Sequence, residues 1–442
     1  MHNSPLQIAA IVITLLCAGV LVQAESLPRH GSFGLQVIPL LDAKRTHCSP
    51  EQGGLLVKGI LPEGSAGAAG LVTGDILLSL NEQKLIDPAT LSRLERLQPT
   101  GKRFTFVICR QDEEITLEGI MLAEPREHSD NFIVEYQPVT TGSGLWQGII
   151  TRPADDERHP ALLVLQNYSG SIDLSEQPES PLRLLLYHLT EEGFVTMRVE
   201  RAGCGDSQDP SNGTLDFTEE WSGFRSALLE LQQNEHVDPD HLFLLGIGSG
   251  GFIVPLLANE VEVQGIMVYN TPAANLFEQL LASRRRHLLA VSRDFIGVEE
   301  TMRDWELCLH LLLVETQTLP AITAKHPRLA RFFTGELLEG RHYSYWQQMA
   351  AVRPAFPWRQ LTTPVMIVRG DRDQFTSWDD QVYLARMLNL NHPGQAVILR
   401  LQHTGTLLQT SLGEGGPMPP RSSDAFLESF TNWLDNQLAR PD

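Results

Sequence analysis

The chain has 442 residues, 42% of them hydrophobic, and a formal net charge of -20. This length allows two or three domains, and the apolar share allows a sizeable core. The acidic balance excludes nucleic acid as a partner, since the one basic cluster, Arg284-Arg285-Arg286, reads as the solvated side of a helix.

Leu6 to Val22 is apolar apart from Gln7 and Thr14, and Val22-Gln23-Ala24 follows as a small-residue cleavage pattern. Residues 1–24 therefore resemble a secretory signal peptide, and the expectation is an exported protein, periplasmic or secreted. The start lacks Lys and Arg, and the run is close to the ~20 residues that span a bilayer. An uncleaved anchor, and with it a membrane location, is the alternative. Removal of the leader leaves Cys48, Cys109, Cys204 and Cys308. Pairing within domains, Cys48 with Cys109 and Cys204 with Cys308, is the economical arrangement; four buried thiols is the other. The cysteines and histidines form no close pairs at ligand spacing, so no metal is expected.

Residues 31–123 carry short apolar strands at Leu35–Ile38, Leu55–Val57, Ile76–Leu80, Phe104–Val107 and Ile115–Leu117, each bounded by turn residues. One helix starts at Asp87 with Pro88 in its first turn, and places Leu91, Leu94 and Leu97 on one face. The stretch Gly53 to Asn81 contains Pro62, Ala66, Ala69-Gly70-Leu71, Gly74-Asp75-Ile76 and Asn81. In that pattern it resembles a PDZ domain of the bacterial protease type, a small α+β unit. The resemblance implies that Ser32, Phe33, Gly34 and Leu35 form a carboxylate-binding loop. Backbone N–H groups there would receive a protein C-terminus or peptide, which extends the strand that follows. Residues 124–131 begin Glu124-Pro125-Arg126-Glu127-His128, charged and without apolar period, and read as a linker.

From residue 132 to 442, apolar strand-like runs alternate with helical segments, which predicts a mostly parallel sheet covered by helices. Strands are expected at Phe132–Tyr136, Leu145–Thr151, Ala161–Gln166, Val195–Val199, Leu242–Leu245, Ile266–Tyr269, Val365–Val368 and Ala396–Leu401. Helices are expected at Leu182–Glu192, Trp221–Asn234 and Ala425–Leu438, and a helical insertion, or lid, at about 272–361.

Leu242 to Ala258 reads as strand, glycine-rich turn and helix. With Arg201-Ala202-Gly203-Cys204-Gly205-Asp206-Ser207, Gly370-Asp371-Arg372-Asp373 and His403, it makes this region resemble the α/β-hydrolase superfamily. The dienelactone-hydrolase and prolyl-oligopeptidase-like members are nearest. The resemblance implies an α/β-hydrolase fold with a helical lid, and hydrolysis of an ester, thioester or peptide bond without metal or organic cofactor. The turn would be the nucleophile elbow, Asp373 the triad acid (Asp371 the alternative) and His403 the base. The oxyanion would be held by the N–H of Ser249 and by one near Asn167 or Tyr168.

The register of the elbow decides the chemistry. Gly246 and Gly250 take the flanking glycine places, so the nucleophile's place falls on Gly248, which has no side chain to attack with. The main expectation is thus a catalytically impaired site that binds a small acyl or ester ligand. The alternative is a serine hydrolase in which Ser249, one position late, acts with His403 and Asp373. A third route is a water over Gly248 activated by His403 and Asp373.

Overall fold

The computed structural model describes residues 27–40, 54–61, 64–96, 98–166, 171–175, 177–208, 215–405, 408 and 424–439. The leader, Cys48, Asn167 and Tyr168 lie outside the described residues.

A six-stranded antiparallel sheet comes first, formed by β1 Leu35–Pro39, β2 Leu55–Ile60, β3 Ile76–Leu80, β4 Gln83–Lys84, β5 Arg103–Arg110 and β6 Glu113–Ile120. Its order is β1-β2-β3-β5-β6, with β4 paired to β3, so β1 is an edge strand. A short helix α1 (Ser65–Ala68) and the longer α2 (Pro88–Arg96) complete the unit. One face is apolar because alternate residues of each strand point the same way. Leu55, Val57, Leu77, Leu80, Leu91 and Leu94 are buried there. Phe33, Phe104 and Phe106 form a ring cluster with centroids 4.9 to 5.3 Å apart, a spacing that favours edge-to-face contact. Asp75 is buried and neutralised by Arg110, which donates two hydrogen bonds of 2.8 and 2.7 Å.

The second sheet has eight strands: β7 Ile133–Thr141, β8 Gly144–Arg152, β9 His159–Gln166, β10 Val195–Glu200, β11 Val237–Ile247, β12 Gly265–Tyr269, β16 Val365–Gly370 and β17 Ala396–Leu401. Three short strands, β13 Phe333–Thr334, β14 Leu337–Leu338 and β15 Arg341–His342, form a small sheet in the insertion between β12 and β16. The large sheet runs β17-β16-β12-β11-β9-β10-β8-β7. Only β8 pairs antiparallel with its neighbours; every other pairing is parallel. Counted along the chain, the strands lie in the order 1-2-4-3-5-6-7-8 with the second reversed, and this is the α/β-hydrolase fold. The central strands read as continuous apolar runs because both faces are covered. Leu163, Leu165 and Leu244 point into one cluster; Leu162, Val164, Phe243 and Leu245 point into the other.

Helix α3 (Pro181–Glu191) and the C-terminal α12 (Asp424–Leu438) cover the second cluster. On the opposite face lie α4 (Phe217–Gln232), α5 (Val254–Ala258) and α11 (Trp378–Asn391). Between β12 and β16 the insertion contains α6 (Leu276–Val291), α7 (Phe295–Leu309), α8 (Leu319–Lys325), α9 (Tyr343–Ala351) and α10 (Ala355–Gln360). It is predominantly helical, and Trp305, Leu309, Leu312, Tyr345 and Met349 pack it onto the sheet's first cluster.

One segment makes contacts that the sequence did not announce, and one cysteine pairing is corrected. The charged segment after β6 is held down: Glu127 is buried, paired with Arg198, and accepts from Leu174 N–H at 2.6 Å and Tyr187 O–H at 3.0 Å. Cys204 and Cys308 are thiols and not joined to each other, which corrects the pairing expected within the second domain. Cys204 sits in the loop after β10 and Cys308 inside α7, so membership of one domain did not make them neighbours. Cys109 of β5 is disulfide-bonded, and its partner lies outside the described residues.

Candidate functional site

Strand β11 ends at Ile247, and Gly248 to Phe252 form a 3₁₀ turn that leads into α5. This is the strand–turn–helix that an elbow requires. Gly248 is at its apex with φ +57°, a left-handed conformation that costs a side chain strain and glycine little. A Cβ added there would meet no atom within 4 Å. Gly250 is different: its Cβ would lie 2.1 Å from the Leu165 carbonyl oxygen at the end of β9. A Cβ on Gly246 would come within 2.7 Å of Val254. The turn thus keeps the tight packing of an elbow around an empty apex.

Ser249 is half-buried and lines a cavity of about 480 Å³ between the elbow and the insertion. The walls are apolar, from Phe252, Leu276, Leu280, Trp305, Trp346, Met349 and Phe375. The polar lining is Ser283, Arg284, His287, Glu339 and Arg341. Arg284 pairs with Glu339 at 3.0 Å and lies over the Trp305 ring at 4.5 Å. Arg341 donates to Glu220 of α4 and so ties the insertion to the body of the fold. Burial pushes Glu220 up to about 7, against the pull of Arg201. The Ser249 hydroxyl has no hydrogen-bond partner among the described residues.

Strands β16 and β17 are parallel neighbours, so the loops carrying Asp373 and His403 emerge side by side, at the same end of the sheet as the elbow. Three bonds stitch them together: Asp371 N–H to Leu401 C=O (2.9 Å), Arg372 N–H to Thr404 C=O (3.0 Å) and Thr404 N–H to Asp371 Oδ1 (3.3 Å). Asp373 is buried and accepts from Phe375 N–H (3.1 Å), Thr376 N–H (2.7 Å) and Thr376 O–H (2.6 Å). His403 is exposed at φ +57°, and its Nδ1 accepts from Arg372 Nη2 at 3.3 Å. A guanidinium can only donate, so Nδ1 presents its lone pair and a neutral ring carries its proton on Nε2. A triad base needs the reverse: Nδ1–H facing a carboxylate and Nε2 open to the nucleophile. The structure brings Ser249, Asp373 and His403 to one end of the sheet without joining their side chains by hydrogen bonds. Arg372 lies in the sequence between Asp371 and Asp373, yet nothing there marks it as the partner of His403.

In the first unit, Ser32 to Leu35 lead into the edge strand β1, beside which α2 packs. Gly34 is left-handed at φ +66°, its N–H bound to Ser32 Oγ at 3.0 Å and its C=O accepting from Leu61 N–H at 2.8 Å. Phe33 N–H donates to Glu95 Oε1 of α2 at 2.5 Å. Among the described residues no group of three or more His, Cys, Asp or Glu converges to hold a metal ion, and no helix is long and apolar enough to cross a membrane.

No protein-family model matches the chain. Over 244 residues, 54% of this chain and 53% of its own length, Esterase EstD of Thermotoga maritima is 23% identical. A "Probable periplasmic serine endoprotease DegP-like" of Pseudomonas fulva is 25% identical over 167 residues, 38% of this chain and 31% of that protein. The chain thus spans about half or less of the length of the curated relatives it matches. Among solved structures, Est1E from Butyrivibrio proteoclasticus is 12% identical, covering 69% of this chain and 99% of that chain at a TM-score of 0.45. The hyperthermophilic esterase from Pyrobaculum calidifontis is 15% identical, covering 72% and 88% at 0.44. The fold is defined by the strand order described above, independently of these overlaps.

Proposed function

We propose that the chain is a slow hydrolase of the esterase type, acting on an acyl substrate held between the elbow and the helical insertion. Ser249 is the attacking hydroxyl, His403 its base and Asp373 the acid. The observation that carries this reading is the Ser249 side chain, set on the wall of an apolar cavity with no competing partner among the described residues. The similarity to EstD supports the reaction class. The rate is low because His403 must give up Arg372 and take the other tautomer before it can accept the serine proton. Turnover is then expected near the ~10³ over water that remains when a triad member is lost.

A second reading is favoured by Gly248 at the apex with φ +57°: the pocket holds an acyl or carboxylate ligand and does not turn it over. A fluorophosphonate probe separates the two. Labelling that disappears in Ser249→Ala, together with ester turnover lost in the same variant, is the expected result. Absence of labelling and turnover in the wild-type chain leaves ligand binding as the function.

For residues 31–123 we infer a PDZ domain that takes a protein C-terminus or peptide beside β1, joined by residues 124–131 to the hydrolase-fold unit of 132–442. Support comes from the partial similarity to the DegP-like relative and from the position of β1 at a sheet edge, where an added strand can pair. Export, to the periplasm or beyond, follows from the leader-like residues 1–24. Mass spectrometry of the mature N-terminus tests it: a start at Glu25 is expected, and retention of residues 1–24 supports a membrane anchor.

A further inference from the structure

A carboxylate already sits where the incoming peptide's carboxylate would be received. Glu95 lies on α2, one residue past the buried Leu94, and its Oε1 accepts the Phe33 N–H at 2.5 Å. The Phe33 side chain is locked in the core by Phe104 and Phe106, so this N–H is fixed in direction. The next N–H, of Gly34, is bound by Ser32 Oγ. In the pairing of β1 with β2, Leu61 N–H donates to Gly34 C=O and Leu35 stands opposite Ile60. By the alternation of an antiparallel ladder, the Leu35 N–H and C=O face the free edge. The strand edge is therefore open while the loop at its head is filled.

We infer that Glu95 is an internal ligand of the carboxylate-binding loop, and that a C-terminal peptide binds only by displacing it. This rests on the peptide-binding reading of residues 31–123. The occupant that competes with Glu95 is a free C-terminal carboxylate on an apolar tail, because one negative oxygen is already accepted there. The partly buried Leu35 and Val37 of β1 offer it an apolar surface. A group that must first be displaced lowers the apparent affinity by the fraction of time it occupies the site. One charge-assisted hydrogen bond corresponds to about tenfold or somewhat more.

The test uses the full chain and a fluorescein-labelled heptapeptide ending in Tyr-Val-Val, with a free carboxylate or as the C-terminal amide. Anisotropy should show Glu95→Ala binding the free-carboxylate peptide about tenfold tighter than wild type. Glu95→Gln should fall between, and neither should gain for the amide. In protein labelled with ¹⁵N-phenylalanine, the Phe33 amide proton, assigned with Phe33→Leu, should move upfield in Glu95→Ala, which reports the lost bond without any peptide. Unchanged melting and near-ultraviolet circular dichroism show that the variants are folded. Equal, carboxylate-dependent affinities in wild type and variants, or a Phe33 amide that does not move, overturn the inference and leave the PDZ reading standing. If no protein binds the free-carboxylate peptide better than the amide, the PDZ reading falls and the inference with it.

Discussion

The two sheet units carry candidate sites in opposite states. At the head of β1 the Phe33 N–H is already engaged by Glu95. At the elbow the turn is in place, but its apex carries only hydrogen and the neighbouring Ser249 hydroxyl is unengaged. Both sites are built from backbone that folding fixes. The difference lies in one side chain each: present and inserted in the first, one residue from the apex in the second. Backbone geometry alone therefore does not certify function, and the side chain at one position distinguishes the two sites.

The largest change is expected from placing a hydroxyl at the apex. The Gly248 backbone is already left-handed and a Cβ there meets no atom within 4 Å. Gly248→Ser should therefore place a hydroxyl at the apex and raise ester turnover on the order of 10²-fold or more, with fluorophosphonate labelling moving to position 248. The strain of a left-handed serine costs about 1–3 kcal/mol, read as a lower Tm. Turnover that rises further on adding Arg372→Ala would identify the guanidinium as the restraint on His403. No gain in either variant would mean that neither an apex hydroxyl nor release of His403 from Arg372 limits turnover.

The backbone side of the comparison is probed by Gly250→Ala. Its Cβ, 2.1 Å from the Leu165 carbonyl oxygen, cannot be accommodated unless β9 or the turn shifts. A loss of about 3 kcal/mol or more is expected in chemical denaturation. A near-neutral result would show the elbow to be looser than its packing indicates.

Much of this was legible in the sequence, and the parts that were not share a cause. The central strands β9, β11, β12 and β16 announced themselves because buried parallel strands are continuous apolar runs, and the turn because Gly246, Gly248 and Gly250 are spaced for a tight bend. The elements α1, β4 and β13 to β15 are two to four residues long, too short to show a period. The site's partners were hidden for another reason. His403 with Arg372, Glu95 with Phe33 and Glu127 with Arg198 are 31, 62 and 71 residues apart, and only the folded chain selects one charged residue among many. A run of charge without apolar period does not show which of its members is buried, and here it is Glu127, on which three donors converge.

The two units also meet through a charge cluster, which tests whether their sites can be treated apart. Arg29, just ahead of the Ser32–Leu35 loop, donates to Asp206 at 2.6 Å and to Asp173 at 3.2 Å, both fully buried side chains of the second unit. Burial works to raise the Asp206 pKa, but the His30 ring and N–H and the Arg29 guanidinium outweigh it, and Asp206 stays below the usual carboxylate range. The unfolded chain therefore binds more protons, so this contribution is complete above the unfolded value of about 4 and is lost as pH falls below it. Arg29→Ala should cost about 2 kcal/mol at pH 7 and less at pH 3. A pH-independent cost would remove Asp206 from the explanation.

The smallest effect expected is a null one, and it distinguishes the units by redox state. Cys308 is fully buried in α7, and burial pushes its thiol up to about 12, so almost no thiolate exists to react at neutral pH. Iodoacetamide should leave Cys308 unmodified in the native chain and alkylate Cys204 and Cys308 in denaturant without reductant. The Cys109 peptide should take label only after reduction, since its sulfur is already in a disulfide. Peptide mapping reads all three at once. A Cys204–Cys308 cross-link in the non-reduced map would break the contrast, because it would join the loop after β10 to the insertion by a covalent bond.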